Sequence, residues 1–133
     1  MSQSAATERA ILGAAIVGGS VDPLIELGVH VRHFVHGGHS AAWGAMLDLA
    51  NGGSPPDVQL IAAQLGDRLE AAGGFAFLAS LSASAATSAA LPRHVLNLQR
   101  VDAQRRLRAA LEAALHDAAS AAPSASSSAN GSP

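Results

Sequence analysis

The sequence contains no cysteine, no lysine and very few aromatic residues. Without cysteine there are no disulfides, thiolate zinc sites or cysteine nucleophiles, and the compartment is left open with a cytoplasmic lean. Without lysine there is no phosphate-binding loop of the form GxxxxGK[ST], whose lysine must reach the phosphates. Long apolar runs are missing as well. "MSQSAATERA" has no basic start and "ILGAAIVGG" is too short to cross a bilayer, so the chain is expected to be soluble and cytoplasmic, without a membrane partner.

What is present points to helices. The 49% hydrophobic content includes only 3% aromatic residues, so it is mostly Ala, Leu, Val and Ile, of which Ala and Leu are strong helix formers. At 133 residues the chain is long enough for one modest core. The net charge of −2 conceals an asymmetry: residues 1–92 carry three arginines against seven acids, and residues 93–108 carry five arginines against Asp102 alone.

Four Gly-Gly pairs, at Gly18, Gly37, Gly52 and Gly73 with their successors, separate amphipathic stretches and read as connectors. None follows a strand-like run or sits in a G-x-G-x-x-G context, which argues against phosphate cradles. The spacing of Glu8, Ile11, Leu12, Ala15 and Ile16 predicts a first helix ending at Gly18 and Gly19. "SVDPLIELG" predicts a second, with Ser20 or Asp22 as cap and Pro23 in its first turn. His39 to Ala50 follows with Trp43 as the central core residue and Met46 beside it, then a helix capped by Asp57 with Val58, Ile61 and Leu65 inward. "GGFAFLASLSA" gives a short helix with Phe75, Leu78 and Leu81 inward.

The last helix is the longest, from about Leu91 to Ala119, and its apolar stripe changes sides. At about 100° per residue, Leu91, Val95 and Val101 lie near Leu98, whereas Leu107, Leu111 and Leu115 lie almost opposite. Either the helix bends near Gln104 and folds back on its own domain, or those leucines meet a partner across a surface formed by Gln104, Arg105, Leu107, Arg108, Leu111 and Leu115. From Ala118 the composition becomes "AASAAPSASSSANGSP", which lacks bulky apolar residues and is expected to be a flexible tail.

Four of the six histidines, His30, His33, His36 and His39, recur at every third position. On an α-helix that step turns the four rings through half a circle, so they cannot converge on one ion, and Gly37 and Gly38 interrupt any 3₁₀ stack. No acid lies between Glu26 and Asp48 to complete a zinc set. The stretch is expected to be a loop, with Phe34 inward, His39 as a cap or buried polar contact, the other three at the surface, and no metal. His94 is expected to be a satisfied core histidine.

"ATERAILGAAIV" resembles the E-x-A-[IV]-L-G-A opening of the N-terminal domain of DnaB-type replicative DNA helicases, with Glu8, Ala10, Ile11, Leu12 and Gly13 in place. Phe34, His39, Ala45, Met46, Leu49, Gly53, Pro56, Asp57 and Ile61 are similar to the family's next motifs. Leu69, Gly73, Gly74, Phe77, Leu78 and Leu81 match its L-x-x-x-G-G-x-x-[YF]-L-x-x-L. Arg105, Arg106 and Leu107 resemble an R-R-L stretch on the family's long helix. The likeness extends from about Thr7 to Leu115, and five motifs in order are more specific than any one. The chain departs from the pattern at Arg32 and His33, where the family has acids, in a shortened "LGDRLEAAGG", and in the Ala/Ser tail that follows the long helix where a second arm is usual.

The resemblance implies an all-α fold: a compact bundle of about five short helices followed by one long C-terminal helix. It implies residues 7–117 as the domain, with 1–6 a flexible N-terminus and 118–133 a linker or tail. The expected core is Ile11, Leu12, Ile16, Phe34, Trp43, Met46, Ile61, Leu65, Phe75, Leu78 and Leu98. The implied function is non-catalytic oligomerisation in the collar of a helicase ring, in contact with primase, a loader and the motor domain, with no cofactor and only indirect contact with DNA. Two other readings stand beside it: a free-standing phage, plasmid or chromosomal protein that joins a helicase, and direct nucleic-acid binding by the Arg-rich helix. Against the latter stand the acidic net charge and the scarcity of aromatics for stacking.

Overall fold

The computed structural model describes residues 2–130, with side chains from 2 to 121. Among the described residues it is helical throughout, without strands. The helices are α1 (Gln3–Gly18), α2 (Asp22–Glu26), α3 (His39–Asn51), α4 (Val58–Leu65), α5 (Leu69–Ala72, a single turn), α6 (Gly74–Leu81) and α7 (Leu91–Asn130). Short 3₁₀ turns occupy Val31–His33, Gly66–Arg68 and Ser82–Ser84. The molecule divides into two units, Met1–Val101 and Asp102–Pro133.

Local chemistry explains the boundaries in the first unit. Helix α1 begins at Gln3, not near Thr7, because the Ser2 side chain accepts a hydrogen bond from the Ala5 N–H at 3.1 Å, so the expectation of a flexible start over residues 1–6 is corrected. It ends where Gly19 turns left-handed, at φ 72°, and donates to the carbonyls of Ala15 and Ile16. Pro23 sits in the first turn of α2. The Asp57 carboxylate caps α4, accepting from the Gln59 and Leu60 N–H groups at 2.9 and 3.1 Å.

The core gathers Ile11 and Leu12 of α1, Leu24, Phe34, Trp43 and Met46 of α3, Ile61 and Leu65, Leu78 and Leu81, and Leu91, Val95 and Leu98 of α7. Ile16 is only partly buried against it. Trp43 lies at the centre, fully buried, 5.9 Å from the Phe34 ring, with no hydrogen-bond partner for its Nε1. Phe75 is a correction: it is 47% exposed. The buried residues of α6 are Gly74, Leu78 and Leu81, at the i, i+4, i+7 spacing of one face, and Phe75 is rotated about 100° from Gly74. Gly13 is required by close approach, since a Cβ there would run into the backbone of Leu81 and Ala85. That proximity lets the Ala86 N–H donate to the Ala10 carbonyl at 3.0 Å. The amide nitrogen of Gln99 donates to the Leu27 carbonyl at 2.9 Å and ties α7 to the end of α2.

In the second unit α7 stays helical to Asn130, past the expected end near Ala119. The tail expected over 118–133 falls largely outside the described side chains, and residues 131–133 lie outside the described residues altogether.

Candidate interaction site

The first unit contains one polar centre. Glu8 shares the inner face of α1 with Ile11, Leu12 and Ala15, so its side chain points into the bundle and is 1% exposed. A buried carboxylate needs compensating donors. It receives them from the histidine stretch: the Val35 N–H at 3.2 Å, the His36 N–H at 3.2 Å and His39 Nδ1 at 2.8 Å. Gly38 precedes α3 and offers no side-chain cap, so a carboxylate from another helix sits at the positive end of α3 instead. Gly38 also has no room for a Cβ, which would run into the Ala72 backbone.

The contact network extends from His39. Its ring stacks on Phe77 at 5.4 Å between centroids and 13° between planes. The Arg9 guanidinium lies over the same Phe77 ring at 5.7 Å and donates to the Ser80 hydroxyl at 2.6 Å. Ser80 in turn donates to the Phe77 carbonyl at 2.7 Å. Glu8, His39, Phe77, Arg9 and Ser80 therefore connect α1, α3 and α6 through polar and aromatic contacts.

The four periodic histidines fall into two pairs. His30 and His33 have ring centroids 5.4 Å apart, and the His30 N–H donates to His33 Nδ1 at 3.0 Å. His36 and His39 have centroids 6.4 Å apart, and both face Glu8. His39 is the expected buried polar contact, but His33 is a correction: it is buried, because the 3₁₀ turn folds its ring back under His30. His94 is a second correction, half-buried with its Nδ1 enclosed and without a hydrogen-bond partner. No group of three or more His, Cys, Asp or Glu able to hold a metal is present among the described residues.

Ser4, His36 and Glu8 have the residue types of a nucleophilic triad. The Ser4 hydroxyl is 2.6 Å from His36 Nε2, and Glu8 Oε2 is 3.7 Å from that same nitrogen. A relay needs nucleophile and acid on different ring nitrogens, so this cluster is suited to holding a loop, not to moving a proton to a leaving group. A cleft of about 520 Å³ also opens on this unit, lined by Val17, Pro23, Leu24, Leu27, Leu91 and Pro92 among others.

The second unit presents a different surface. The Asp102 carboxylate lies 3.7 Å from Arg105 and 3.8 Å from Arg106, so two of the five clustered arginines face an acid on their own helix. Every described residue from Arg106 to Ala121 is exposed. Leu107, Leu111 and Leu115 form a ridge at i, i+4, i+8 and are 71%, 58% and 61% exposed. Gln104 and Arg108 are exposed beside it, and Arg105 is partly covered.

Family comparison decides what kind of helical bundle this is. The model of the DnaB-like helicase N-terminal domain matches residues 1–100. The chain belongs to the DnaB-like helicase N-terminal domain family. The crystal structure of the N-terminal domain of DnaB helicase from Mycobacterium tuberculosis is similar to it, with TM-score 0.79 and 25% identity, over 89% of this chain and 86% of that one. A DnaB-like replicative helicase, solved in a study of its interactions with primase, is similar at TM-score 0.75 and 25% identity, over 86% of this chain. The chain spans 27% of that helicase's length. No curated protein matches. Within the DnaB family frame, Glu8, Phe34, His39, Met46, Asp57, Phe77 and Leu78 all lie in the matched residues, whereas the Arg105, Arg106 and Leu107 stretch lies beyond them.

Glu8 entered the sequence reading only as a point on an apolar face and as a motif match, and its role there went unrecognised. The signal was available: an acid at a position whose helical neighbours are all core residues must be paired, and the nearest run without any acid of its own is the histidine stretch.

Proposed function

We propose that this chain is a non-catalytic oligomerisation and protein-interaction domain of a DnaB-type replicative helicase, working in DNA replication in the cytoplasm. In this reading it joins the collar of a ring, contacts primase or a helicase loader, is connected to a motor domain, needs no cofactor of its own and meets DNA only indirectly. The observation that carries the reading is the leucine ridge on the second unit. A helix exposed over its whole circumference is marginal in water, and three leucines at one helical spacing give it a face that burial stabilises. Among the described residues no helix is long and apolar enough to cross a membrane.

The arginines favour this over direct nucleic-acid binding, since Arg105 and Arg106 are already turned toward Asp102. Light scattering over a wide concentration range tests the self-association: the mass should rise above that of the 13.3 kDa monomer and return to it in Leu111→Asp. A strict monomer, unchanged by Leu111→Asp, overturns it. Co-elution with the primase of the same cell tests the second half, and its absence at micromolar concentrations counts against a primase contact.

A further inference from the structure

The arm carries a pattern of charge that bears on how it associates. At about 100° per residue, Leu107, Ala110, Leu111, Ala114, Leu115 and Ala118 form one stripe. Arg108 and Glu112 border one side of it, about 80° and 120° from its centre, and Arg106 and Asp117 border the other at about 120° and 100°. Each border therefore holds one cation and one anion, with the cation nearer the N-terminus on both. All of these side chains are exposed.

We propose that the occupant of this face is the same face of a second copy, running antiparallel about a two-fold axis at Leu111. This rests on reading the chain as an oligomerisation domain and adds the partner and its direction. In that arrangement Leu107 meets the partner's Leu115, and the alanines between the leucines let the backbones approach closely. A perpendicular two-fold brings equivalent borders together. Arg108 then stands within about 3 Å in height of the partner's Glu112, and Arg106 within about 1.5 Å of the partner's Asp117. Symmetry repeats both pairs, so four opposite-charge contacts flank one leucine seam. A parallel pair joins unlike borders instead, setting Arg108 beside the partner's Arg106 and leaving Glu112 no cation. Charge thus selects direction, as it does in coiled coils. Three leucines and three alanines per copy put the seam near the lower bound of about 1,000 Å² for a specific interface, so the pairing is concentration-dependent.

The absence of cysteine makes a direct test possible. Single cysteines are placed in the full chain as L107C, L111C and L115C and oxidised mildly, and the products are separated without reductant. Facing helices about 8–10 Å apart bring residues at the seam within disulfide reach. L111C should cross-link to itself, and L107C mixed with L115C should cross-link at least tenfold more than either alone. Self-cross-linking of L107C and of L115C, each alone, overturns the antiparallel direction. An oligomer by light scattering in which L111C stays uncross-linked overturns the seam while leaving self-association standing, and a strict monomer overturns both. Charge reversal gives a second readout free of cysteine effects. Arg108→Glu should weaken association about tenfold, and Arg108→Glu with Glu112→Arg should restore it. Equal weakening in the double variant overturns the pairing.

Discussion

The two units use the same residues at the same spacing and reach opposite results. In the first, Ile11, Leu12, Leu78 and Leu81 lie on helix faces and are fully buried. In the second, Leu107, Leu111 and Leu115 repeat with equal regularity and stand in water. Periodicity identifies a face that requires cover, and the neighbours available to that face decide whether the cover comes from the same unit. The sharpest test sets one leucine against another. Leu78→Ala empties a filled site and should cost about 2–5 kcal/mol in urea denaturation. Leu111→Ala in the same assay, at a concentration where the chain is monomeric, should stay within about 0.5 kcal/mol. Equal losses would show that the ridge is already covered within the chain, and the contrast between the units would collapse.

Within the first unit the comparison narrows to apolar cover against polar cover. Glu8 is as deeply buried as the leucines beside it, and it is held by donors from Val35, His36 and His39. Glu8→Ala removes the acceptor for three groups at once and should cost about 3 kcal/mol, whereas Glu8→Gln keeps one acceptor oxygen and should cost less. Amide exchange at Val35 and His36 should accelerate in both variants, more in the alanine one. Unchanged protection would mean that Phe34 and the 3₁₀ turn hold the loop without the carboxylate.

These cases also show what was legible in the sequence. The helix order, the caps at Asp57 and Pro23 and the placing of Trp43 at the core followed from spacing and turn chemistry, because each depends on residues within one turn of one another. The Glu8 centre depends on residues some thirty positions apart in three elements, and local patterns carry no such distance. His33 was misread for a related reason: a single 3₁₀ turn, too short to show a period, decides which way the ring points. The leucine ridge was legible as a face, and its occupant was not, since a partner writes nothing into this chain beyond the charges that border the face.

The smallest effect separates two phenylalanines. Phe75 was placed inward by spacing alone, because in an eight-residue helix with apolar residues at 75, 77 and 78 several faces look equally apolar. Packing chose the face through Gly74, Leu78 and Leu81, which left Phe75 outside and turned Phe77 toward His39 and Arg9. Phe75→Ser should therefore change stability by no more than about 0.5 kcal/mol. Phe77→Ser gives up the stack on His39 and the cation contact with Arg9, and should cost about 1–2 kcal/mol. Urea midpoints of the two variants measured side by side decide it. A larger loss at Phe75 would mean that its exposed ring is covered in solution by a second molecule, and the same measurement repeated at tenfold dilution would then shrink that loss.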